Sequence, residues 1–222
     1  MTHTLQDTDY RLKFAILAEL AWAPSVRAEN IGVAVLDGAV TLSGEVASYP
    51  EKVAALDAAL RVSGVIAAAD EVIVRHTSGP PADVDIAREA GHALKRAVNV
   101  PGTVKATVHQ QVITLTGEAA WEFQRVAARH AVASLPGVTG VWSTVTLVPT
   151  SRLPAADAKA QIMAALVRNA VVDAGNIRVT VVDGKVMLRG NVSSSAERRQ
   201  VQHAAWSCPG ITAVDNELVN LS

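Results

Sequence analysis

The chain is predicted to be α+β, as three tandem αββαβ domains, each a three-stranded mixed sheet packed on two helices. Three observations predict this. Glycine recurs at Gly44, Gly117 and Gly190, and again at Gly64, Gly137 and Gly210, both series stepping by 73 residues. Val35, Val108 and Val181 keep the same step, as do Leu42, Leu115 and Leu188, so the register holds without an insertion. Within each period the apolar spacing changes from helical to alternating and back, which separates helices from strands.

Each period opens with a helix: Asp9 to Trp22, Asp83 to Val98 and Pro154 to Asn169. In the second copy Ile86, Ala90, Leu94 and Ala97 recur at helical spacing and form the stripe to be buried. A strand follows, patterned Ile31-x-Val33-x-Val35 or Ile177-x-Val179-x-Val181. Asp37-Gly38 and Asp183-Gly184 predict tight hairpins, because both turn residues must tolerate positive φ. Gln110-Gln111 stand there in the second copy, a poorer pair that predicts a longer or strained hairpin.

The second strand, Val40-x-Leu42 or Val186-x-Leu188, is expected to end at Gly44, Gly117 or Gly190, where glycine marks a bend or close packing. The second helix spans Tyr49 to Val62, Trp121 to Leu135 and Ser194 to Cys208, with Gly64, Gly137 and Gly210 as left-handed caps. Its core-facing columns are read as Ala55/Ala128/Val201, Ala58/Ala131/Ala204 and Val62/Leu135/Cys208. A last strand through Val72-Ile73-Val74 or Val145-Thr146-Leu147 closes the unit. Proline-containing stretches, His76 to Asp83 and Pro149 to Ala156, separate the copies and predict domains at 1–77, 78–150 and 151–222.

Composition narrows the function. Half the residues are hydrophobic but only 4% are aromatic, so the cores must be built from Ala, Val, Leu and Ile. A net charge of −1 argues against nucleic acid as partner, since polyanion binders carry a basic excess. By thirds the chain runs from acidic to mildly basic. Residues 1–77 hold six Lys/Arg and ten Asp/Glu, 78–150 six and five, and 151–222 eight and six. The single cysteine, Cys208, excludes an internal disulfide framework and is expected as a core side chain at a helix end. The first residues lack a positive start followed by an apolar run, so the reading is a cytoplasmic chain, periplasmic only if a signal segment precedes it.

The run Val33-x-Val35-x-Asp37-Gly38-x-Val40-x-Leu42-x-Gly44-x-Val46 recurs as Val179-x-Val181-x-Asp183-Gly184-x-Val186-x-Leu188-x-Gly190-x-Val192. The middle copy keeps Val108, Ile113, Leu115, Gly117 and Pro136-Gly137-Val138. This pattern resembles the BON domain, the bacterial module named for osmotically induced and nodulation proteins. The resemblance implies non-enzymatic binding modules linked to phospholipid or membrane surfaces and to osmotic or envelope stress tolerance.

No catalytic constellation, cofactor motif or metal-ligand spacing is read, and the six histidines are scattered. An anionic headgroup would need cations near an aromatic. Arg88, His92, Lys95 and Arg96 on the middle copy's first helix, and Trp121, Arg125 and Arg129 on its second, are the lipid-binding candidates. Lys52, Arg125 and Arg198 share one repeat position. Leu56, Leu60 and Trp206 fall off the expected core face and are interaction candidates, for a homo-oligomer or another protein. The alternative to lipid association is therefore a structural self-assembly or protein-interaction module with no lipid ligand.

Overall fold

The computed structural model describes residues 2–220 apart from 77, 78, 80, 152 and 171. The expected 77/78 boundary, and parts of both proline-containing connections, lie outside the described residues.

The first copy runs α1 (Thr2–Trp22), β1 (Ile31–Leu36), β2 (Ala39–Val46), α2 (Tyr49–Arg61) and β3 (Ala67–Val74). The second runs α3 (Asp83–Arg96), β4 (Lys105–His109), β5 (Val112–Thr116), β6 (Glu118–Ala119), α4 (Glu122–Ala133), β7 (Gly140–Ser143) and β8 (Thr146–Leu147). The third runs α5 (Ala155–Arg168), β9 (Ile177–Val182), β10 (Lys185–Val192), α6 (Ser195–Trp206) and β11 (Ala213–Asn220). In the first copy β2 is central, antiparallel to β1 and parallel to β3. The third repeats this, with β10 between β9 and β11. In the second the order is β4-β5-β7, and β6 pairs separately with β8 because the last strand breaks before Thr146. Thr144 sits in the break and donates its amide and its hydroxyl to the Leu115 carbonyl, at 2.8 and 3.2 Å.

By contacts the chain divides into two units, Met1–Ala93 with Ala106–Thr114 and Arg129–Trp142, and Leu94–Lys105 with Leu115–Ala128 and Ser143–Ser222. The first unit holds a core of Ile16, Leu20, Val40, Leu42, Ala55, Ala59 and their neighbours, between the helices and one sheet face. The second holds the equivalent core of Ile162, Leu166, Val179, Leu188, Val201 and Ala205. Among the described residues no helix is long and apolar enough to cross a membrane.

Four details correct the sequence reading. The second buried column of the second helix is Ala59/Val132/Ala205, with all three side chains fully enclosed, whereas Ala131 and Ala204 are only half-buried. Four residues from Ala55/Ala128/Val201 lie on the same helix face, whereas three residues turn the chain partly away. Gly44 and Gly190 do not end their strands, since β2 and β10 continue to Val46 and Val192, whereas β5 stops at Thr116, just before Gly117. All three have positive φ, and an added Cβ would lie 2.1 Å from the Asn30 carbonyl, 2.4 Å from that of Thr103 and 2.0 Å from that of Asn176. The protein's own backbone fills the space that a ligand would need.

Gly64 and Gly137 are left-handed but do not cap helices. Each is the third residue of a four-residue turn closed from Val65 N–H to the Val62 carbonyl, or from Val138 N–H to that of Leu135. The Gln110-Gln111 hairpin is no longer than the others. Both residues take positive φ, 50° and 64°, as the two-residue turn demands. The Asp83 carboxylate holds it there, accepting the Gln110 amide at 2.8 Å and the Gln111 amide at 2.9 Å. Asp9 does the same for Asp37 and Gly38 in the first copy.

Candidate interaction surface

Helix two begins differently in the middle copy, and this shapes the surface. In the first and third copies a serine caps the helix and a glutamate three residues on completes a capping box, Ser48 with Glu51 and Ser194 with Glu197. Glu51 and Glu197 are buried, yet each is satisfied. Glu51 accepts the amides of Arg27 and Ala47, at 3.0 and 3.1 Å. Glu197 accepts those of Asp173 and Ser193, at 2.9 and 2.7 Å, and the Ser193 hydroxyl. These donors hold the Glu197 carboxyl below the usual carboxylate range, against the opposing effect of burial. The middle copy has Trp121 at the serine position and Gln124 at the glutamate position. One amide oxygen of Gln124 takes the Ala120 and Trp121 N–H groups, at 2.9 and 3.1 Å. The capping serine has been exchanged for a large aromatic.

The position shared by Lys52, Arg125 and Arg198 shows the same divergence. Lys52 donates to the Val72 carbonyl at 2.6 Å, and Arg198 to that of Asn216 at 3.2 Å, so each braces the last strand of its own copy. Lys52 also pairs with Asp70 at 3.2 Å. Arg125 instead pairs with Glu122 at 2.6 Å and lies over the Trp206 ring, 5.6 Å from its centroid. That cation–π distance joins the middle copy's helix to the third copy's helix within one unit.

A cleft of about 590 Å³ opens beside this contact. Trp121, Phe123, Val126 and Trp206 supply its apolar lining, while Glu122, Arg199, Gln202 and His203 supply polar groups. Trp121 and Phe123 are tilted 32° to one another with centroids 6.3 Å apart, and Phe123 is 53% exposed. Trp121 and Arg125, expected as lipid candidates, thus meet Trp206, expected as an interaction candidate. Phe123 was missed, although as an aromatic two residues after Trp121 its place beside the candidate face was readable.

The other candidates are dispersed. Arg88, His92, Lys95 and Arg96 are exposed on α3, but acids interleave with them. Arg88 pairs with Asp85 at 2.7 Å, and His92 faces Glu89 at 3.6 Å. Lys95 and Arg96 lie in the last helical turn, where cations suit the helix dipole. Arg129 is exposed on α4. Leu60 is 44% exposed, whereas Leu56 and Trp206 are partly buried against the cores of their own copies, so only Leu60 lies freely off the core face. Cys208 is buried, and burial pushes its thiol up from the ordinary cysteine value, as befits a core side chain.

Among solved structures the chain is similar to CdsD, a structural protein of the type III secretion system of Chlamydia trachomatis. The identity is 17%, with 94% of this chain and 91% of that one covered and a TM-score of 0.27. It is also similar to the periplasmic domain of the type III secretion inner membrane protein PrgH from S. typhimurium. There the identity is 13%, the coverage 92% and 99%, and the TM-score 0.21. No curated protein matches the chain. The model of the BON domain matches three times, over residues 8–76, 82–149 and 154–220. With nearly its whole length covered by those three matches, the chain belongs to the BON domain family, as three tandem copies.

Proposed function

We propose that the chain is a non-enzymatic assembly module, whose three BON domains, at 1–77, 78–150 and 151–222, present surfaces for self-assembly. The observation that supports this most is the redeployment of Arg125. Its counterparts brace a strand within their own copy, while Arg125 reaches Trp206 of the next. The adjoining cleft leaves Phe123 half in solvent, as a partner-facing aromatic would be. Light scattering against concentration tests the reading. The average mass should rise with concentration in the wild-type chain and rise less in Phe123→Ser, and a strict monomer under all conditions counts against self-assembly.

A second reading is association with anionic phospholipid or membrane surfaces in osmotic or envelope stress tolerance. Val98, 97% exposed just beyond the exposed Lys95 and Arg96, favours it, because an apolar side chain beside two cations suits a headgroup region. Co-sedimentation with anionic vesicles at low salt tests it. Binding should weaken in Lys95→Glu/Arg96→Glu, and folded protein that stays in the supernatant sinks it.

A further inference from the structure

The helices of the first and third copies cover one face of each sheet, and the other face is open. An open antiparallel face is ordinarily polar. In the first copy Leu36 and Ile73 stand on it, 72% and 59% exposed. Their counterparts in the third copy are Val182 and Val219, each 60% exposed. The apolar corners therefore persist between copies, while the balance of charge around them changes.

On the first copy's open face the charged strand residues are Glu45, which pairs with Arg75 just beyond β3, and Glu71. On the third copy's face the positions of Gly32, Ala39 and Ser43 are occupied by Arg178, Lys185 and Arg189, and that of Glu45 by Asn191, with Asp215 and Glu217 on β11 leaving one cation in excess. Arg178 stands directly across from Arg189 in the antiparallel register. Like charges placed so oppose folding. Arg189 is relieved by Glu217, its neighbour on β11, through Nε to Oε2 at 2.6 Å. That pairing raises the guanidinium's value and lowers the carboxyl's. Among the described hydrogen bonds and ion pairs Arg178 has no partner, and neither does Glu71 on the acidic face.

We infer that these two faces are halves of one contact, the open sheet of the first copy docking on the open sheet of the third copy of a second chain. The inference rests on the assembly reading above and names its partner. Exposed Leu36 and Ile73 would cover Val182 and Val219, and Glu71 would supply the acid that Arg178 lacks. Because the two faces differ, the contact is head-to-tail rather than self-complementary. Three strands about 4.8 Å apart make a small patch, so the association should be weak, reversible and salt-sensitive.

Sedimentation equilibrium of the full chain at low and high salt tests this, with circular dichroism confirming the fold of each variant. The wild type should associate at low salt and weaken about tenfold or more at high salt. Glu71→Lys and Arg178→Glu, both at exposed positions, should each lose association alone and regain it when the two variants are mixed. A wild type that stays monomeric at low salt overturns the contact and gives these faces to another partner. Association that survives both reversals but falls in Phe123→Ser overturns it while leaving the assembly reading intact.

Discussion

Asp83 accepts the backbone amides of Gln110 and Gln111 on its two carboxylate oxygens, so a side chain at the start of α3 clamps a hairpin turn 27 residues away. The clamp lets glutamines occupy a turn that normally selects Asn, Asp or Gly. Asp83→Ala should destabilise the chain by about 1–3 kcal/mol, since two turn amides lose their acceptor. Gln111→Gly should stabilise it by up to about 1 kcal/mol by relieving the left-handed conformation. Urea denaturation reads both.

Glu197 titrates below its unfolded value, so its contribution is complete above the unfolded pKa and is lost as pH falls through the folded one. Glu197→Gln should cost about 1–3 kcal/mol at neutral pH, because a glutamine cannot present acceptors to the amides on both sides. The gap between variant and wild type should begin to narrow as pH falls past the ordinary glutamate value of about 4.3 and close once it falls through the lowered folded one. Thermal melts across acid pH measure this.

Arg125 and Trp206 should be coupled. A double-mutant cycle with Arg125→Met and Trp206→Leu is expected to return about 0.5–1 kcal/mol of interaction energy. The same cycle between Arg198 and Trp206 should return close to none.

Gly190→Ala should be among the most damaging single changes, above about 3 kcal/mol, because the methyl would collide with the Asn176 carbonyl at a positive φ. Gly91→Ala is the contrast. It lies inside α3 with nothing within 4 Å of an added Cβ, and should stabilise by about 1 kcal/mol through helix propensity. Chemical denaturation of the two variants side by side tests the pair.

The fold was legible because repetition supplied its own control. A glycine or valine at one position is weak evidence, but the same residue at three equivalent positions assigns an element. The helix bounds fall within a few residues of those expected, except that α1 begins at Thr2 rather than Asp9. What escaped the sequence was anything that depends on where a side chain turns. Lys52, Arg125 and Arg198 share a repeat position, yet two of them reach for a carbonyl and one for an indole. Ala58 and Ala59 are equally apolar, and only packing decides which column is sealed in all three copies. The capping boxes at Ser48 and Ser194 were visible as Ser-x-x-Glu, and their loss at Trp121 marked the surface more directly than the scattered cations did.

The middle copy gives up a capping serine, a doubly bonded glutamate, a strand brace and an unbroken last strand, and its residues are divided between the two contact units. The first and third copies keep their own capping boxes, strand braces and continuous last strands. Excised alone, residues 78–150 should fold less readily than either neighbour, and in the whole chain the middle should order last and loosen first.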